Sequence, residues 1–158
     1  MNEKFPMTKE GYQMLLEQRI ELKDTIPSII KEIQVAREHG DLSENAEYKY
    51  AREAKRNTER KIGEIEYKLQ NAEIIDVTEM MEDEIVIFGS TITIIDTETD
   101  ERITYKIVGE DEAGSSPEKI SYLAPMVKFA IGKEPGDEFT VKTAKGVKTF
   151  EIDEVKYI

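Results

Sequence analysis

The 158-residue chain has no cysteine, no tryptophan and a single histidine, His39. Without cysteine there can be no disulfide, no thiolate-bound zinc and no thiol nucleophile. One histidine leaves no cluster for a transition metal and no Ser-His-Asp triad. Positive charge is also scarce: Lys plus Arg number 22 against 34 Asp plus Glu, a formal net charge of −12. An acidic chain is a poor general binder of duplex DNA, because neutralising phosphates requires a basic footprint. No apolar run approaches the roughly 20 residues of a membrane span, and the start of the chain has no secretory apolar stretch. A soluble, cytoplasmic protein with no membrane partner is therefore expected. Apolar residues make up only 39% and charged residues 35%, which favours extensive exposed helix over one thick globule.

The sequence itself divides into two periods. Through residue 76 the apolar spacing is helical and alternates three and four. One stripe runs Tyr12, Leu15, Arg19, Leu22, Ile26, Ile29, Ile33, Ala36; a second runs Tyr48, Ala51, Lys55, Thr58, Ile62, Ile65, Leu69, Ala72. Each is a coiled-coil seam of about four heptads. Arg19, Lys55 and Thr58 interrupt the seams. Pro27 removes one backbone donor and predicts a kink or a local break. Thr8 or a neighbour is expected to cap the first helix, and residues around Asn71 to Asp76 to end the second. Between the stripes lies His39-Gly40-Asp41-Leu42-Ser43, with Gly40 suited to the left-handed position after a helix. So short a link makes the helices, each about 30 residues and roughly 45 Å long, antiparallel.

From Ile85 the period becomes two. Strands are expected at Ile85 to Phe88, Thr91 to Ile95, Ile103 to Val108, Glu138 to Lys142 and Val147 to Val155. One short helix is expected from Pro125 to Ile131, ended by Gly132. The fold class is α+β in two domains: a helical hairpin over residues 1–76 and a compact α+β domain over 77–158.

Chemistry concentrates at the hairpin tip, where Asp41 and Glu44 stand three residues apart. One reading is a capping box, with Asp41 capping the second helix and Glu44 returning a bond to the backbone. The other is a pair of hard oxygen ligands for Mg²⁺, useful only if a partner completes the six oxygens this ion prefers. Spacing leaves both open. After the tip the segment from Lys49 to Lys61 carries a local net charge of +4, and Lys49, Arg52, Arg56 and Arg60 recur at helical spacing. They form either a solvated face, with Arg52 or Lys55 pairing Glu59, or an anion-binding one. Tyr48 falls on the seam, and Tyr50 is free to face a partner.

The run Ala36-Arg37-Glu38-His39-Gly40-Asp41-Leu42-Ser43-Glu44-Asn45-Ala46-Glu47-Tyr48 closely resembles the signature of the Gre family of bacterial transcript cleavage factors. Val86-Ile87-Phe88-Gly89-Ser90-Thr91 and Ile131-Gly132-Lys133-Glu134-Pro135-Gly136-Asp137 add supporting resemblances in the family's order. The resemblance implies an antiparallel coiled-coil hairpin followed by an FKBP-like domain. It implies a monomeric accessory factor, not itself an enzyme, that binds bacterial RNA polymerase and inserts the hairpin in its secondary channel. Asp41 and Glu44 would there act catalytically, holding a Mg²⁺ jointly with the polymerase while the nascent RNA 3′ end is cleaved. Lys49, Arg52, Arg56 and Arg60 would contact RNA or channel acids. Ile120 to Pro125 resembles the loop that grips the polymerase, which singles out Ser121 and Pro125; Ala124 stands where the family often has serine. An FKBP-like fold does not bring prolyl isomerisation with it. Two competing functions remain. A same-fold inhibitor would be expected to carry extra tip acids, and a plain coiled-coil binding module would show no metal-dependent cleavage in a stalled complex.

Overall fold

The computed structural model describes residues 3–40 and 45–158. Among these, the chain separates into one unit over Gln13–Asn71 and another formed by Glu3–Tyr12 with Ala72–Ile158. The division thus falls at Asn71–Ala72, not at residue 76, and the first residues count with the second unit. The physical reason is a strand pairing that helical periodicity cannot register. Strand β1 (Phe5–Met7) runs parallel to β2 (Ala72–Ile74), with Phe5 opposite Ala72 and Met7 opposite Ile74. The Ile75 amide donates to the Met7 carbonyl at 2.8 Å and extends the ladder.

The first unit holds most of α1 (Lys9–Glu38) and all of α2 (Ala46–Gln70). Lys23 meets Glu66 at 3.0 Å, and the Asn45 amide reaches the Ala36 carbonyl, so the helices are antiparallel. The seam lies where the periodicity puts it. Between Leu22 and Ala36, only Leu22, Ile26, Ile29, Ile33 and Ala36 escape full exposure. On α2 the buried residues are Ala51, Ile62 and Leu69, all seam positions. Ile20, Ile30 and Val35, off the seam, are exposed. Arg19, Lys55 and Thr58 are half-buried, and the Thr58 hydroxyl satisfies itself by donating to the Ala54 carbonyl at 2.9 Å. Helix α1 continues through Pro27 without a break. The Thr25 hydroxyl donates to the Leu22 carbonyl at 2.7 Å in the turn where the proline withholds its amide.

In the second unit, β3 (Thr91–Asp96), β4 (Arg102–Val108), β5 (Lys119–Ser121), β6 (Glu138–Thr143) and β7 (Gly146–Lys156) form a sheet in the order β5-β4-β3-β7-β6. All its pairings are antiparallel except β4 with β5. Strand alternation sends Ile92 and Ile94, Phe139 and Val141, and Phe150 and Ile152 to one buried face. A bulge opposite Thr93 and Ile94 adds a residue to β7 and lets Val155 rejoin that face. Helix α3 (Glu110–Ala113) precedes β5, and α4 (Pro125–Ala130) closes the core with Val127 and Ala130.

Ile85 to Phe88 is not a strand. The Ser90 hydroxyl and amide fold back onto the Ile87 carbonyl, at 2.6 and 3.1 Å, and Gly89 takes φ +87°. Val86 is wholly buried but exchanges its backbone bonds with Gly132 and Lys133. The run is apolar because it is core, and its hydrogen bonds go to turns. The fifth strand is β5, a three-residue piece whose sequence is too short to show a period.

Thr8 caps α1: its hydroxyl accepts from the Gly11 amide at 3.0 Å. The same hydroxyl donates to Glu112, a carboxylate only 2% exposed, whose other oxygen meets Lys119 at 2.9 Å. No described helix is long and apolar enough to cross a membrane.

Candidate functional site at the hairpin tip

Asp41 and Glu44 lie outside the described residues, so the geometry that bears on them is that of their flanks. After α1, Gly40 takes φ +126°, open only to glycine at low cost. Helix α2 begins at Ala46, and its cap is Asn45, whose side-chain oxygen accepts from the Tyr48 amide at 3.1 Å. The expected capping box on Asp41 is therefore not what starts this helix. The Asn45 amide nitrogen also donates to the Ala36 carbonyl at 2.6 Å, tying the last turn of α1 to the first of α2. An asparagine can do both because it carries donor and acceptor on one planar group. His39 stands 3.3 Å from Glu47, exposed on both sides, which fits a polar tip residue.

Below this closure lies a cleft of about 330 Å³ bordered by Ile33, Arg37, Tyr48, Arg52, Lys55, Arg56 and Glu59. Four of its seven walls are cationic. Lys55 is matched by Glu59 at 3.5 Å, as the i,i+4 spacing predicts. Among the described residues no carboxylate stands within ion-pair distance of Arg37, Arg52 or Arg56. The structure thus brings together Arg52 and Arg56 of the expected basic face and leaves Lys49 and Arg60 out of the cleft; Arg60 approaches Glu64 at 4.0 Å. Arg37 is absent from the expected face because it belongs to the other helix. Its signal is the seam: Ala36, its neighbour, faces the opening turns of α2, so hairpin pairing carries Arg37 across to Arg52.

Tyr48 is half-buried, as a seam residue should be, yet its ring does more than pack. The Arg37 and Arg52 guanidinium carbons lie 5.8 and 5.6 Å from the ring centroid. The Arg52 Nη1 also donates to the phenol oxygen at 3.4 Å. The Arg37 guanidinium, and after it Arg52, hold the phenol below the ordinary tyrosine range against the opposing effect of desolvation. Tyr50, 79% exposed, borders a separate groove with Val35, Ala36 and Ala51.

Among the described residues no three His, Asp or Glu side chains gather into a metal site. Two hard carboxylates at Asp41 and Glu44 suit Mg²⁺ in donor type but supply too few oxygens alone. In the second unit, Ser121 ends β5 and its hydroxyl accepts from the Leu123 amide at 3.1 Å. Pro125 opens α4 at a position where its missing amide is not needed. Ala124 precedes it as a cap with no side-chain hydrogen bond, so the alanine found here forgoes what a serine could give.

Comparison with known proteins matches the chain in two segments. A profile described as "Transcription elongation factor, N-terminal" matches residues 5–74, and one described as "Transcription elongation factor, GreA/GreB, C-term" matches residues 81–157. Proteins named transcription elongation factor GreA from Francisella tularensis subsp. novicida (strain U112) and subsp. tularensis (strain WY96-3418) are each 50% identical over 157 residues, 99% of this chain and 98% of theirs. A solved structure of the transcription factor Gfh1 is 27% identical, covering 98% of this chain and 99% of that one, with a TM-score of 0.46.

Proposed function

The chain belongs to the GreA/GreB family of transcription elongation factors, and from that premise we propose that it completes a nuclease belonging to bacterial RNA polymerase. In this reading the protein acts as a cytoplasmic monomer and is not an enzyme by itself. The second unit docks on the polymerase through the surface around Ser121 and Pro125. The hairpin enters the secondary channel, and the polymerase then cleaves the backtracked 3′ end of its nascent RNA.

The observation that carries this reading is the cap on α2. Asn45 opens the helix, so Asp41 and Glu44 are not needed to start it. Two carboxylates at the end of a long hairpin, without that structural duty, suit an active site supplied by another molecule. They would hold a Mg²⁺ jointly with the polymerase, and that ion when bound activates water toward a phosphodiester. Arg37, Arg52 and Arg56 supply positive charge that a phosphate chain requires, on a protein that is acidic elsewhere.

The test is a defined backtracked elongation complex mixed with the protein and Mg²⁺. Release of a short 3′ fragment and renewed elongation are expected, with no cleavage of naked RNA by the purified protein. Absence of fragment release at saturating protein would defeat the reading, and so would robust cleavage of free RNA.

A further inference from the structure

We propose that Tyr48 is a positioning residue that gathers Arg37 of α1 and Arg52 of α2 into a single phosphate-binding pair. The inference rests on the reading above, in which this cleft meets RNA. Two guanidiniums repel each other, and each arginine side chain is among the most mobile in rotamer terms. Without a shared contact, cations on two different helices would spread into solvent. The Tyr48 ring gives both a common contact, at 5.8 and 5.6 Å, because its π-face attracts positive charge. Its hydroxyl adds an acceptor for Arg52.

The seam alone does not ask for this residue. A half-buried position between helices is filled equally well by leucine, as at Leu22 of α1. What leucine lacks is a face for cations. Helical spacing sets Tyr48 and Arg52 one turn apart, and the Asn45 closure fixes the opening turn of α2 against Ala36, next to Arg37. Arg37 and Arg52, with no carboxylate partner among the described residues, are left to meet an external anion with part of their freedom already lost. Pre-ordering of this kind raises affinity by lowering the ordering cost of binding.

The experiment uses the full chain and inorganic triphosphate as the probe. Arginine Nε–H resonances are followed by NMR in the wild type, Tyr48→Phe, Tyr48→Leu and a chain with pentafluorophenylalanine at position 48. The last keeps the shape of phenylalanine and inverts its ring electrostatics, so it remains informative if the leucine variant loses the first turn of α2. Arg37 and Arg52 should report one common dissociation constant in the wild type. Tyr48→Phe should stay within about threefold of it, while the leucine and fluorinated chains weaken it roughly tenfold. Cleavage in backtracked complexes at saturating factor should fall in the same order, with the concentration for half-effect little changed. Equal triphosphate affinity in the phenylalanine and pentafluorophenylalanine chains would overturn the proposal. Reduced triphosphate affinity with undiminished cleavage would uphold the role of Tyr48 and overturn instead the assignment of this cleft to RNA.

Discussion

The Asn45 side chain donates to the Ala36 carbonyl at 2.6 Å while accepting from the Tyr48 amide at 3.1 Å, so one residue begins α2 and ties it to the last turn of α1. Helix ends leave amides without an intrahelical partner, and the Tyr48 amide is one of these; the Ala36 carbonyl, which also accepts from the His39 amide at 3.2 Å, gains a second donor. Asn45→Ala should lose both bonds and destabilise the hairpin by about 1–2 kcal/mol. Asn45→Asp keeps the acceptor but places a carboxylate against a carbonyl, so it should recover only part. Urea unfolding, with hydrogen exchange at the Tyr48 amide, measures this. Equal stability of the alanine and wild-type proteins would show that the closure contributes nothing.

Two glycines on the long helices should respond oppositely to alanine. Gly63 lies exposed on α2, and a Cβ added there would meet nothing within 4 Å, so Gly63→Ala should stabilise by about 0.5–1 kcal/mol through helix propensity. At Gly11 a Cβ would fall 2.8 Å from the Glu112 Oε1. That oxygen cannot swing away freely, since Thr8 donates to it and Lys119 holds its twin. Gly11→Ala should therefore destabilise by about 1 kcal/mol despite better propensity. In a Glu112→Ala background, itself destabilised by about 1–3 kcal/mol, the same substitution should become neutral or favourable. A double-mutant cycle by thermal unfolding decides it.

The seam is legible in the sequence because a coiled coil repeats one requirement many times: from Leu22 to Ala36 every position that escapes exposure is one the three-four spacing marks. The core strands β3, β4, β6 and β7 are legible for the same reason at period two. What escapes is pairing that involves three-residue pieces too short to carry a period, namely β1 with β2 and β5 with the longer β4. Thr8 with Glu112 is similar, two polar residues far apart in sequence whose meeting only the folded chain reveals. Ile85 to Phe88 misleads because burial, not a ladder, makes it apolar. At the tip, Asn45 stands inside the motif, but its neighbours Asp41 and Glu44 offer the more familiar capping spacing. The arginine pair is half legible, since helical periodicity groups residues of one helix and Arg37 comes from the other.

The contact of Lys9 with Asp76, 3.1 Å apart, makes a pH prediction with a definite sign. Hydrogen bonds from Thr78, and then from Lys9, hold the Asp76 carboxyl below its ordinary value. A depressed carboxylate stabilises the fold above its unfolded pKa, near 4, and loses that contribution as pH falls through the folded value. Lys9 is raised, chiefly by Asp76, so its share persists at neutrality and is lost only above the ordinary lysine range. Asp76→Asn should thus lower the thermal midpoint near pH 7, with the gap to wild type closing as pH falls below about 4. A gap unchanged down to about pH 2 would mean that the charge on Asp76 is not what stabilises this contact.

The tip carboxylates admit the sharpest functional test, because Asn45 has taken over the duty that would otherwise confuse it. Asp41→Asn and Glu44→Gln each remove one negative charge with little change of shape. Since α2 is capped elsewhere, both variants should unfold at the wild-type temperature and bind the polymerase with unchanged affinity. A hard cation loses a ligand when a carboxylate becomes an amide. Loss of such an electrostatic contact in a transition state costs about 2–4 kcal/mol, or roughly 30- to 1,000-fold in rate. Cleavage in the backtracked complex should fall by that factor, and raised Mg²⁺ should restore part of it by mass action. Arg52→Glu and Arg56→Glu offer a contrast: they should weaken cleavage through poorer anion binding, steeply dependent on salt and not rescued by Mg²⁺. If Asp41→Asn cleaves as well as wild type at limiting Mg²⁺, the carboxylates do not serve the metal, and the tip acts by shape and positive charge alone.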